Sequence, residues 1–237
     1  ALIQVISFAV AAIGMQDRLN DIMEGFTNLD NYLGLGLQFV VFIPALTIPF
    51  VLYLIGRKRP IKEVISFKRP KLSQLLISYF ATMALGYAGL LLTNYLVYLL
   101  RLIGYKPMDL PINAPSGVPM GIFFVVVIAV LPALLEEFAY RGVIMGEIRR
   151  YNRWAAVLIS GLFFGLMHGN LIQIPYASFI GFGMAYFAIK FDSIWVGVFI
   201  HFINNSVAIA ETYFVKFYPD YTKVIEMSAG AFQFMLM

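Results

Sequence analysis

Two histidines, His168 and His201, are the only ones in this 237-residue chain, and both lie in or at the end of strongly apolar runs. Two carboxylates are equally out of place: Glu136 and Glu137 stand inside the run LPALLEEFAYR at 131–141. Ionisable groups in an apolar span are costly and usually face a partner or a cavity. Glu137 and Arg141 are four residues apart, so on a helix they share a face and can pair. Glu136 lies about 100° around the helix from Glu137 and can point elsewhere. His201 and Asn205 are also four apart, on one face of another apolar run. Pro132 has no N–H, so in a helix the carbonyl of Ile128 is freed one turn earlier, and a kink there would help open a cavity beside Glu136.

These residue types suit peptide hydrolysis. A carboxylate held out of water is a stronger base and can take a proton from an attacking water; an imidazole within reach shares that proton or passes it to the leaving amine. A second histidine and an asparagine on one helical face can donate hydrogen bonds to a tetrahedral oxyanion. No Ser, Thr or Cys nucleophile is required, and the chain contains no cysteine, which also removes disulfides and thiolate metal sites. Zinc is the alternative, with Glu136, His168 and His201 as ligands. The motif H-E-x-x-H is absent and the three residues fall on separate runs, so the expectation is a site without cofactor or metal. Blander readings stand beside these: Glu137–Arg141 as a structural pair, and the remaining polar groups as hydrogen-bonding glue between helices. Tyr140, Asn204 and Gln173 are further candidates to line a cavity.

The elements that must position these groups follow from hydropathy. Hydrophobic residues make up 61% of the chain and charged residues only 13%, about half the charge usual for a soluble domain. Apolar runs at 1–15, 34–56, 74–104, 118–146, 154–168, 172–190, 194–215 and 222–237 lack a period of two, which predicts an all-α, polytopic membrane bundle of about eight transmembrane helices and not a barrel. The whole chain, 1–237, reads as one integral membrane domain, with the motif-bearing core at about 118–215. Its first apolar stretch lacks a basic leader and a small-residue cleavage site, and reads as part of a span. Gly161 and Gly165 form a small-xxx-small pair that lets a neighbouring helix approach closely.

Lysine and arginine set the expected orientation. Arg57, Lys58, Arg59, Lys62, Lys68, Arg69 and Lys71 follow the second run, and Arg149, Arg150 and Arg153 follow the fourth, whereas Asp17, Asp21, Glu24 and Asp30 follow the first. Basic loops after even-numbered spans put both termini in the cytoplasm, in a cell membrane. The basic 57–71 segment can also meet anionic lipid. Counting 1.5 Å per residue from these basic ends, Glu136 lies roughly 20 Å deep, His168 roughly 22 Å, His201 roughly 14 Å and Asn205 roughly 20 Å. Three helices thus offer their polar groups to one slab of the membrane.

Glu136-Glu137-x-x-x-Arg141, Phe164-x-x-x-His168 and His201-x-x-x-Asn205 together resemble the three signature motifs of the CAAX protease and bacteriocin-processing family (the CPBP or Abi group) of intramembrane endopeptidases. The resemblance implies that Glu136 and His168 activate the water and that His201 and Asn205 form the oxyanion hole. It also implies that Glu137 and Arg141 hold the geometry, Glu137 with a direct part open to it. Partners would be a membrane-associated peptide or protein substrate and the lipid bilayer, with no nucleic acid; prenylated substrates do not follow from the motifs. Two other classes compete: a membrane scaffold that regulates a partner protein such as a cell-wall enzyme, and a proton-coupled transporter. A transporter should carry inverted repeats with broken helices, and no such duplication is visible.

Overall fold

Arg153 and Ile194 each open a helix after a residue built to cap one. The Oδ1 of Asn152 accepts the N–H of Ala155 at 2.9 Å, and the Oγ of Ser193 accepts that of Trp195 at 3.3 Å. The structure, a computed structural model, describes residues 31–57, 60–104, 115–169 and 171–218. Helix α1 is Asn31–Gly56, α2 the short Ile61–Val64 and α3 Leu72–Leu102. They are followed by α4 (Val118–Ile148), α5 (Arg153–Met167), α6 (Gln173–Lys190) and α7 (Ile194–Phe217). Among the described residues there is no strand beyond an isolated bridge between Phe67 and Ser193. The protein is therefore all-α there, and α1 and α3 to α7 match the six inner apolar runs. The outer runs, 1–15 and 222–237, lie outside the described residues, as does most of the acidic loop after the first. By length and composition Leu72–Leu102, Val118–Ile148 and Ile194–Phe214 can cross a membrane. Large apolar side chains such as Leu76, Phe80, Ile122, Leu162 and Phe163 are exposed, as lipid-facing positions would be.

Helix α4 is not regular. Its turns widen to π geometry at Val126–Val130 and again at Phe138–Ile144, and the regular turn between them, Leu131–Glu137, holds Pro132 and both glutamates. A π segment shifts the helical face, and such segments recur at functional sites.

Helix α6 lies between α3 and α5, and small residues set both seams. A side-chain carbon at Gly161 would come within 2.7 Å of the Phe182 backbone nitrogen, and one at Gly89 within 3.0 Å of the Tyr176 Cα. The expected neighbour of the Gly161/Gly165 pair is thus α6, and close backbone approach is the reason for the glycines.

One end of the bundle is held by polar bonds. The segment after α2 tucks in, with Val64 and Ile65 fully buried and Ile65 against Gly142 of α4. Lys68 pairs with Asp192 at 2.5 Å, Arg149 reaches Asp192 at 3.3 Å, and Arg57 reaches Glu147 at 2.9 Å. The hydrogen bond from Lys68, aided by Arg149, holds the Asp192 carboxyl below its usual range, and the Glu147 carboxylate raises Arg57. The Ser66 Oγ donates to the Asp192 carbonyl at 2.7 Å, and the Ser193 Oγ donates to the Lys68 carbonyl at 2.5 Å. The two basic loops therefore meet at the same end.

Candidate active site

Glu137 comes from the regular turn between the two π segments of α4. Its Oε1 accepts from Arg141 Nη1 at 2.6 Å, and neither side chain has any exposure. The spacing of four residues thus yields the expected pair. The guanidinium has two further contacts: Nη2 donates to the Gly181 carbonyl of α6 at 3.0 Å, and its carbon stands 4.3 Å from the centre of the Phe164 ring. Arg141 therefore ties α4 to α5 and α6.

Glu137 Oε1 also accepts from His201 Nδ1 of α7 at 3.2 Å, and the other ring nitrogen, Nε2, lies 3.9 Å from Glu136 Oε2. The two adjacent glutamates, free to point in different directions, flank one imidazole. A ring with nitrogens on two sides can meet both carboxylates even though their side chains leave the helix about 100° apart. The contact to Glu137 is possible because α7 carries Gly197 one turn before His201. A side-chain carbon at Gly197 would collide with Glu137 Oε2. Glu136 Oε2 and Glu137 Oε2 are buried and make no hydrogen bond within the protein.

His168 caps α5, where its Nδ1 lies 2.9 Å from the Phe164 carbonyl. A carbonyl only accepts, so Nδ1 carries the proton and a neutral ring has its lone pair on Nε2. The Phe164 ring sits between the histidines, its centre 5.1 Å from that of His168 and 5.3 Å from that of His201, edge-on to both. Tyr140 closes another side of Phe164 at 5.7 Å. His168 is thus joined to the Glu–His cluster through an aromatic ring.

Asn205 donates from Nδ2 to the Ile128 carbonyl of α4 at 2.9 Å. This is the carbonyl that Pro132 leaves without an α-helical donor. Of the other cavity candidates, Tyr140 is buried, Asn204 accepts from the Tyr176 hydroxyl at 3.0 Å, and Gln173 is exposed at the start of α6. Among the described residues, no group of three or more His, Asp or Glu side chains is gathered as a metal centre would need.

Sequence reasoning missed Gly197 and gave Phe164 no role of its own. Gly197 carried a signal, since Gly197, His201 and Asn205 recur at intervals of four and share one face of α7.

The fold and the site define a helical membrane protein in which two buried glutamates and a buried arginine of α4 and a buried histidine of α7 are joined by a half-buried histidine of α5 and a half-buried asparagine of α7. The comparisons with known proteins are narrower. The profile of the "Type II CAAX prenyl endopeptidase Rce1-like" family matches residues 118–207, the stretch that supplies every residue of the cluster. "Putative membrane peptidase YdiL" of Bacillus subtilis is 29% identical over 86 residues, 36% of this chain. The matched stretch spans about a third (35%) of that relative's length. "Membrane-embedded CAAX protease MroQ" of Staphylococcus aureus is 29% identical over 189 residues, 73% of this chain and 72% of its own. No solved structure matches. The resemblance to the CAAX protease family read from the three motifs is thereby shown for the segment that carries them, and the protein is an integral membrane protein that is similar to CAAX proteases over that segment.

Proposed function

We propose that this protein is an intramembrane endopeptidase that hydrolyses a peptide bond of a membrane-associated substrate, using water activated by Glu136 and His168. The observation that carries the reading is the unequal state of two neighbouring carboxylates. Glu137 is neutralised by Arg141 and bonded to His201, while Glu136 Oε2 faces His201 with no donor of its own. One glutamate is structural in its bonding, and the other is left able to take a proton.

Glu136 takes a proton from water as the oxygen attacks the carbonyl carbon of the substrate, and the C=O electrons move to oxygen. The resulting oxyanion accepts from His201 Nε2–H and from the N–H of Asn205 not given to Ile128. His201 Nδ1–H is committed to Glu137, so donation from Nε2 needs the doubly protonated ring. When the tetrahedral intermediate collapses, the C–N bond breaks and the leaving amine takes the proton, relayed by His168 from Glu136. We assign no metal to these steps, and the end held by Asp192 and Glu147 to the cytoplasm.

Comparison of the peptides released from membranes carrying the wild type and E136A tests the reading. Peptides released only by the wild type are expected, at equal amounts of folded protein. Identical peptide sets, with E136A and H168A supporting the cellular phenotype in full, would replace the peptidase by a scaffold.

A further inference from the structure

We infer that Pro132 is a positioning residue for the site, acting through the Ile128 carbonyl to hold the Asn205 amide. In an α-helix the carbonyl of residue 128 is taken by the N–H of residue 132, along the helix axis. Proline has no N–H, and its ring crowds that carbonyl and tilts it off the axis. The carbonyl also lies within the π segment Val126–Val130, where the regular ladder is already disturbed. It is met from α7 by Asn205 Nδ2 at 2.9 Å.

This bond fixes more than position. Because a carbonyl only accepts, the nitrogen side of the amide must face Ile128, and Oδ1 is turned away. One of the two N–H bonds is then used, and the other is held in a set direction. Asn205 is half-buried on α7, and its neighbour Asn204 is occupied separately by Tyr176. A pre-aimed donor costs nothing to reorganise when charge develops on a substrate oxygen, which is where such donors gain their effect. The inference rests on the oxyanion role proposed above for Asn205; the link from Pro132 to Asn205 is a matter of the fold and is tested without substrate.

The test is a double-mutant cycle between P132A and N205A, read first as thermal unfolding of the purified, detergent-solubilised chain. N205A alone strands the Ile128 carbonyl and lowers the midpoint by about 2–4 °C or more. In the P132A background residue 132 supplies the missing N–H, and the same truncation costs less than half as much; P132S provides a second background of the same kind. The second reading is cleavage of the peptide that wild-type membranes release and E136A membranes do not. P132A should lower kcat at least ~10-fold, a part of the 10²–10³ that one oxyanion donor is worth, with KM little changed. The double variant should be no slower than N205A alone. An equal midpoint loss from N205A in all backgrounds, or rate losses that multiply, overturns the inference alone. Wild-type cleavage by N205A overturns it together with the oxyanion role.

Discussion

Replacing Arg141 by alanine removes the guanidinium that is paired with Glu137. Both side chains are without exposure and their closest atoms are 2.6 Å apart. With charge centres about 4 Å apart and an effective dielectric near 20, the lost attraction is about 4 kcal/mol. The same size is typical when one partner of a buried pair is removed and the other stays charged, about 3–5 kcal/mol. Loss of the contacts to the Gly181 carbonyl and the Phe164 ring acts in the same direction, but neighbouring terms do not add. At about 2–4 °C per kcal/mol for a domain of this size, R141A should unfold roughly 6–20 °C below the wild type. Midpoints can be followed in detergent by the loss of the monodisperse peak after heating. Removing both charges with shape kept, as in E137L/R141M, should recover most of that loss, since apolar replacement of a buried pair is often near neutral. Cleavage should not recover, because His201 Nδ1 would have lost its acceptor. An R141A protein within about 2 °C of the wild type, or a double variant that falls by the sum of the singles, would refute the treatment of this pair.

Three further outcomes are expected. G197A should push the Glu137 carboxylate off its contacts, lowering both the unfolding midpoint and the cleavage rate, and an active, wild-type-stable G197A would show that Gly197 sets nothing. Single cysteines introduced into this Cys-free chain should react with an impermeant thiol reagent in whole cells at position 28 and not at position 66; the reverse pattern would invert the orientation. Activity should survive treatment with a strong membrane-compatible chelator, and one zinc per chain, lost with activity in H201A, would replace the metal-free mechanism by zinc hydrolysis.

Sequence spacing exposed the parts of the site that depend on one helix at a time. The Glu137–Arg141 pair and the shared face of His201 and Asn205 both follow from intervals of four, and the lengths of the apolar runs yielded the inner helices. Parts that depend on two helices meeting stayed hidden. Gly197 reads as one more glycine of an apolar helix until Glu137 is found beside it. Two π segments change the face that α4 presents, and no residue pattern announces them, although Pro132 marks where the ladder must break. The burial of Val64 and Ile65 was equally out of reach, because a short run between basic residues looks like a surface loop until Gly142 and Gly146 are seen to make room for it.

The site is, in its main axis, a seam between α4 and α7. Going up α7, Gly197 meets Glu137, His201 meets Glu137 and Glu136, and Asn205 meets Ile128. The partners descend along α4 as the positions on α7 rise, so the two helices run antiparallel across about 12 Å. Each contact on α7 is made every fourth residue, but on α4 the partners are spaced unevenly, because that helix changes pitch on both sides of the glutamates. A uniform α4 would bring repeating ridges to α7 and pack it as any apolar pair packs. The irregular one leaves a carbonyl without its helical donor and a carboxylate oxygen without a hydrogen bond, and α7 offers a donor to the first and an imidazole beside the second. Helix α5 then has only to bring Phe164 against His201, with His168 packed on the same aromatic ring, and its glycine-lined seam with α6 fixes it in place.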